Sequence, residues 1–124
     1  MNNVILPPFL KKGDRVAIVS PAGAIDADLV DGAIEVLKTW GLRPEKREYT
    51  TAKVGRFAGY DKWRCDDLQT VLDDPSIAGV LCSRGGYGTM RIIDKIDFAC
   101  FRKHPKWVIG FSDITVLHAV LNKQ

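Results

Sequence analysis

The sequence predicts a three-layer α/β domain built on a mainly parallel sheet. Along its 124 residues, apolar runs of strand length alternate with segments of helical periodicity. The apolar runs are continuous, which is typical of strands that are buried on both faces of a sheet. Strands separated by helices form βαβ units with right-handed crossovers, and this length suits a single domain.

The first half of the chain predicts two strands and the helix between them. Residues 15–20, "RVAIVS", form an apolar run that predicts a buried strand. A stripe of apolar residues at helical spacing from Val30 to Leu37 predicts a helix that ends near Gly41. Residues 42–49 predict a weaker strand near an edge of the sheet, because Pro44 has no N–H to donate.

The second half of the chain begins with a loop and then continues the alternation. Residues 50–59 have no regular pattern and predict a loop. The remaining predicted elements are a helix over 60–74, a buried strand over 77–83, a short helix over 89–96, a strand over 106–111 and a helix over 113–124.

Composition and charge exclude several classes of protein. A formal charge of +3, with Lys and Arg scattered among the acids, does not predict a nucleic-acid partner. The three cysteines have no C-x-x-C spacing, which argues against a disulfide framework and a zinc site. No signal peptide and no membrane-spanning run is recognisable, so we expect a soluble cytoplasmic protein.

Three unusual loops follow predicted strands of the sheet. They are "SPAG" at 20–23, "SRGGYG" at 83–88 and "GFSD" at 110–113. Ligands of parallel sheets bind outside the carboxyl ends of the strands, where these loops should gather on one rim. The parallel sheet therefore predicts the place of a ligand site before any single residue is assigned to that site.

Ser112 is the candidate nucleophile. A strand-to-helix turn lifts such a serine above the sheet edge and directs the first helical N–H groups toward it. The N–H of Asp113 would then help to bind an oxyanion. The alternative is that Ser112 or Asp113 only caps the following helix, since both residue types are common N-caps.

The glycine loop at 84–88 has two interpretations as well. Paired glycines allow backbone N–H groups to approach a phosphate, a carboxylate or an oxyanion closely. The loop could equally be a tight turn that needs positive φ. Arg84 could pair with a substrate carboxylate or with an acidic residue on a helix.

A base for Ser112 is difficult to find in this chain. Its two histidines are His104, which precedes the fourth predicted strand, and His118, which would point away from Ser112 on a helix. Cys82 is a possible thiol nucleophile, but its apolar run favours an inert buried cysteine. Ser20 is expected only to satisfy local backbone groups. Either Ser112 is not a nucleophile, or its partners lie outside the chain.

Three motifs in order resemble the N-terminal half of the LD-carboxypeptidase family, which comprises muramoyltetrapeptide carboxypeptidases and their microcin-immunity relatives. They are "GDRVAIVSPAG" at 13–23, the stretch from "RFAGYDKW" to "SRGGYG" at 56–88, and "KWVIGFSDITVLH" at 106–118. The resemblance implies a flavodoxin-like or Rossmann-like domain for residues 1–124. It also implies a C-terminal domain, absent from this chain, that supplies the Glu and His of a Ser-Glu-His triad.

The resemblance implies roles for residues of the loops at 83–88 and 110–113. Ser112 would be the nucleophile, and the N–H groups of Asp113 and Gly86 would form the oxyanion hole. The residues implied to line the pocket that holds the C-terminal end of the substrate are Arg84, Gly85 and Tyr87.

The family resemblance also implies an activity. Its members remove the terminal D-alanine from L,D-linked murein tetrapeptides during cell-wall recycling in the cytoplasm, without a metal or another cofactor. The chain ends within a helical pattern, so we expect a fragment that is inactive alone and that pairs with its missing domain or forms a homodimer. Two alternatives remain: a microcin-immunity peptidase acting on peptidyl or aminoacyl nucleotides, and a non-catalytic flavodoxin-like domain that binds an anion.

Overall fold

The computed structural model describes residues 6–110 and 114–122 and contains a parallel sheet of four strands. The order across the sheet is β2-β1-β3-β4, and every pair of neighbours is parallel. The strands are β1 (Arg15–Val19), β2 (Arg43–Lys46), β3 (Ile77–Cys82) and β4 (Trp107–Ile109). The predicted α/β class and the edge position of the second strand are confirmed.

Helices cover both faces of the sheet and produce the three predicted layers. They are α1 (Ala27–Thr39), α2 (Asp61–Asp73), α3 (Ala99–Lys103) and α4 (Thr115–Leu121). Val16 and Ile18 of β1 pack with α1, whereas Ala17 and Val19 pack with residues of the other three helices. This alternation explains why the strand sequence is apolar throughout: both of its faces are buried. No helix of the described residues is long and apolar enough to cross a membrane.

The strand order creates a switch point between β1 and β3. From β1 the chain moves to β2 on one side, and it then returns to β3 on the other side of β1. The connections that leave β1 and β3 therefore diverge at the carboxyl edge. In open α/β sheets, this divergence opens the crevice in which ligands bind.

The region between β3 and β4 differs from the prediction. Residues 89–96 form two 3₁₀ turns, Thr89–Arg91 and Ile93–Lys95, in place of one short helix. Four of these eight residues are β-branched, which disfavours a helix, and burial of Ile92 decides the local path. Conversely, residues 99–103, for which the sequence predicted no helix, form helix α3, because Phe101 is buried and packs edge-on against Phe98.

Lys106 is buried although its side chain is charged. Its ammonium donates hydrogen bonds to the carbonyl groups of Val71 and Asp74 at the end of α2. Burial lowers the pKa of this lysine. The charged group thus caps a helix C-terminus, where positive charge is favoured.

Candidate active site

The loops that follow β1, β2 and β3 meet at the carboxyl edge of the sheet. The loop after β1 lies between the other two and is hydrogen-bonded to both. Gly23 N–H donates to the Gly85 carbonyl (3.0 Å), and Ala24 N–H donates to the Arg56 carbonyl (2.9 Å). The Ala58 N–H donates in turn to the Ala22 carbonyl (3.0 Å). The predicted meeting of the loops after the first and third strands is confirmed, and the loop that follows β2 joins them.

Glycine is required where the loop after β1 touches the loop after β3. A Cβ atom on Gly23 would lie 2.8 Å from the carbonyl oxygen of Gly85, closer than such contacts occur. Gly86 has a φ of 93°, a left-handed conformation that favours glycine. The predicted tight turn with positive φ is therefore present. Among the described residues, no acceptor takes the N–H of Gly86, so this donor remains available to a ligand.

Arg64 of α2 forms hydrogen bonds to the loops after β1, β2 and β3. Its side chain is fully buried. It donates to the carbonyl groups of Pro21 (2.7 Å), Gly88 (2.8 Å) and Gly59 (3.4 Å), one from each loop, and it also pairs with Asp61. A guanidinium with five N–H groups suits this position, because each buried carbonyl needs a donor.

Phe57 lies in the loop after β2 and contacts several side chains of the rim. The guanidinium carbons of Arg56, Arg64 and Arg91 lie 5.3, 5.1 and 5.4 Å from the centre of its ring. The ring of Tyr87 lies 6.2 Å away, and Arg56 stands 5.4 Å from that ring as well. These cation–π contacts hold the loop after β2 against the loop after β3.

The three loops line a half-open cavity of about 550 Å³. Of the residues predicted to line a substrate pocket, Arg84 and Tyr87 line this cavity, as does Gly86, whereas Gly85 is buried and uses its carbonyl within the rim. The Arg84 guanidinium donates to the Ala24 carbonyl (2.8 Å). Among the described residues Arg84 pairs with no acid of a helix, so that interpretation is not supported.

Ser112 and Asp113 lie outside the described residues, so their predicted roles remain predictions. The residues on either side of this segment, Gly110 and Ile114, are described and pack against β3. A Cβ atom on Gly110 would lie 2.9 Å from Ile114 Cγ2 and 3.1 Å from Cys82 Cβ. Glycine is needed here because β4 and the start of α4 approach β3 so closely.

The other nucleophile and base candidates are buried, engaged in hydrogen bonds or distant from the rim. Burial raises the pKa of the Cys82 thiol to about 12, so the reactive thiolate is scarce at neutral pH. Nε2 of His118 lies 3.1 Å from the Val108 carbonyl and must carry a proton to donate to it. His104 is exposed beyond α3, before the amino end of β4. Ser20 bonds to the Thr50 carbonyl (2.6 Å), a distant backbone group rather than the local one expected.

Sequence reasoning missed four residues of the rim: Arg64, Lys53, Arg56 and Phe57. Arg64 precedes Leu68 by one helical turn and Val71 by two, so its place on the apolar face of α2 was a signal of burial. The other three lie in a loop that was given no function. Their signal was topological, since this loop also leaves the carboxyl end of a strand.

Comparison with known proteins gives a consistent result. Residues 16–124 match the family model of the LD-carboxypeptidase N-terminal domain. The chain is 33% identical over 110 residues to the murein tetrapeptide carboxypeptidase of Pseudomonas aeruginosa, covering 88% of this chain and 36% of that protein. It is 39% identical over 117 residues to a Bacillus subtilis protein named "Probable murein peptide carboxypeptidase", covering 94% and 37%.

Solved structures show the same fold. The microcin C7 self-immunity protein MccF, in complex with aspartyl sulfamoyl adenosine, superposes with a TM-score of 0.88 at 21% identity, covering 95% of this chain and 36% of that one. The muramoyltetrapeptide carboxypeptidase of Oxalobacter formigenes gives 0.76 at 32% identity, covering 86% and 36%. The chain thus spans little more than a third of these relatives' length. With its family model matched over residues 16–124, the chain belongs to the LD-carboxypeptidase family.

Proposed function

We propose that the complete protein containing this chain is a serine LD-carboxypeptidase, which releases the terminal D-alanine from an L,D-linked murein tetrapeptide. The observation that carries the proposal is the position of the glycine loop. In this chain, a member of the LD-carboxypeptidase family, that loop lies at the switch point of the sheet. There, Gly86 holds a left-handed conformation beside a cavity, and no acceptor among the described residues takes its N–H. Such a donor suits the oxyanion of an acyl-transfer reaction.

In the proposed reaction, Ser112 Oγ attacks the carbonyl carbon of the scissile amide while a base takes its proton. The N–H groups of Gly86 and Asp113 stabilise the negative charge on the former carbonyl oxygen. The C–N bond then breaks, and the nitrogen of the departing D-alanine receives the proton. Water hydrolyses the resulting ester and regenerates the serine.

The base is proposed to come from a part of the protein outside this chain. His118 already donates its Nε2 proton to Val108, and His104 lies at the amino edge of the sheet, away from the rim loops. A second domain carrying a Glu–His pair would complete the triad and would make residues 1–124 the nucleophile-bearing domain. We propose a cytoplasmic reaction, which suits the free thiols of Cys65, Cys82 and Cys100.

Replacing Ser112 tests the nucleophile in the complete protein. Ser112→Ala is expected to lower kcat for D-alanine release by about 10⁴-fold or more, because the acyl-enzyme cannot form. D-alanine is quantified by a coupled oxidase assay. Ser76→Ala, at the turn that precedes β3, is the matched control and should retain wild-type turnover. Turnover by Ser112→Ala within tenfold of wild type would exclude the nucleophile assignment.

A second candidate keeps the chemistry and changes the substrate to an aminoacyl or peptidyl nucleotide. It is favoured by a further structural neighbour, a MccF-like protein from Bacillus anthracis, which superposes with a TM-score of 0.85 at 28% identity. The ratio of kcat/KM for the murein tetrapeptide to that for an aminoacyl sulfamoyl nucleotide separates the two candidates. A ratio well above one supports the carboxypeptidase, and a ratio well below one supports the alternative.

A further inference from the structure

We propose that the loop between β2 and α2 recognises the substrate: Lys53 and Arg56, together with Arg84, form a subsite for a carboxylate of the peptide other than the one released. This inference rests on the proposed function, because it names the chemical class of substrate that the same cavity accepts. Nothing in the sequence pattern assigned a role to this loop.

The first step is the place and size of the cavity. It lies at the carboxyl edge between β1 and β3, and all three loops that leave β1, β2 and β3 contribute to its wall. A volume of about 550 Å³ falls within the range of pockets that hold small organic ligands. Gly86 is part of the wall, so a ligand in the cavity is adjacent to the proposed oxyanion donor.

The second step is the charge of the wall. Its charged side chains are those of Lys53, Arg56, Arg84 and Asp26, three basic and one acidic. Within the described part of the chain, none of the three cations forms an ion pair. The wall therefore has an excess of positive charge that attracts an anion.

The third step is the fixed position of the arginines. Arg56 lies over the rings of Phe57 and Tyr87, and its backbone carbonyl accepts the N–H of Ala24. Arg84 is anchored on the carbonyl of the same Ala24. A guanidinium in contact with an aromatic ring keeps N–H donors that can bind a carboxylate bidentately.

The charge alone suits a phosphate as well as a carboxylate, and we assign the carboxylate because the proposed substrate is a peptide, which brings carboxylates and no phosphate to the cavity. The test therefore compares three ligands. They are an L,D-linked tetrapeptide with a free side-chain carboxylate, the same peptide with that carboxylate amidated, and adenosine monophosphate.

The kinetic arm uses Lys53→Met and Arg56→Met in the complete protein. Each variant should raise KM for the acidic peptide roughly five- to twentyfold, with kcat within about twofold, since a charge-assisted contact to an exposed cation is lost. KM for the amidated peptide should not change. Asp26→Asn, which removes the opposing charge and keeps a good N-cap residue, should lower KM for the acidic peptide roughly twofold.

Two controls separate recognition from folding. Lys103→Met removes an exposed lysine at the end of α3, outside the cavity, and should leave both KM values unchanged. Lys53 makes no hydrogen bond or ion pair with the described residues, so Lys53→Met should keep the wild-type Tm and remain informative if Arg56→Met misfolds.

The binding arm is independent of catalysis and uses calorimetric titration of the Ser112→Ala protein. If the peptide binds through Lys53 and Arg56 but the wild type releases no D-alanine, the subsite stands and the proposed function fails. If D-alanine is released but neither variant changes KM or Kd for the acidic peptide, the subsite is excluded and the proposed function stands. Tighter, Lys53-dependent binding of adenosine monophosphate would overturn the carboxylate in favour of a phosphate.

Discussion

At the scale of single residues, the burial of Arg64 is the least expected feature of the molecule. A cationic side chain that is fully buried requires acceptors, and it finds them in carbonyl groups of all three rim loops and in Asp61. A buried charge contributes little net stability when it is fully paired, but its removal leaves its partners unsatisfied. Arg64 is therefore a positioning residue for the rim.

Replacing Arg64 should destabilise the domain strongly. Arg64→Met retains much of the side-chain volume but leaves the carbonyl groups of Pro21 and Gly88 without this donor. We expect the free energy of unfolding to fall by about 3–5 kcal/mol, measured by denaturant titration. Lys62→Met on the exposed face of the same helix, which breaks only a surface pair with Asp66, should cost less than about 1 kcal/mol. Equal losses in the two variants would refute the special role of Arg64.

At the scale of elements, helices and strands were predictable where one periodicity dominates. The buried strands and helices α1 and α2 follow the apolar patterns of residues 15–20, 30–37, 60–74 and 77–83. The prediction was wrong over residues 89–96, where β-branched residues and the packing of Ile92 outweigh a short helical pattern. Helix α3 was missed because its formation depends on burial of Phe101, a tertiary contact.

The glycine loop provides a prediction at this scale. Gly86→Ala places a side chain at a φ of 93° and should shift the backbone N–H that is proposed to bind the oxyanion. We expect kcat of the complete protein to fall by about 10²–10³-fold, with a loss of stability of about 1–3 kcal/mol. Gly32→Ala in α1, where a Cβ atom meets nothing within 4 Å, is the control and should stabilise the protein by about 0.5–1 kcal/mol. Unchanged kcat in Gly86→Ala would argue against the oxyanion assignment.

At the scale of the whole molecule, stability should depend on pH partly through Asp61. The hydrogen bond from Arg91, followed by the nearby charge of Arg64, holds the pKa of Asp61 below its usual value of 3.8. Because the folded pKa is the lower one, this carboxylate stabilises the fold above pH 3.8, and the contribution disappears as the pH falls through the folded pKa.

The comparison of wild type with Asp61→Asn isolates this effect. The difference in free energy of unfolding should be constant between pH 7 and pH 5 and should shrink as the pH falls from 4 toward 2. Denaturant titrations at intervals of one pH unit measure it. A difference that stays constant down to pH 2 would show that Asp61 does not titrate differently in the folded and unfolded states.

The sequence by itself determined the fold class, the edge position of β2 and the rim on which the candidate site lies. These properties depend on local patterns: continuous apolar runs, one proline, and glycine loops directly after strands. The tertiary structure alone decided which side chains meet there. Lys53, Arg56 and Arg64 reach the rim because strand order and helix packing bring distant segments together, and no spacing along the chain encodes that proximity.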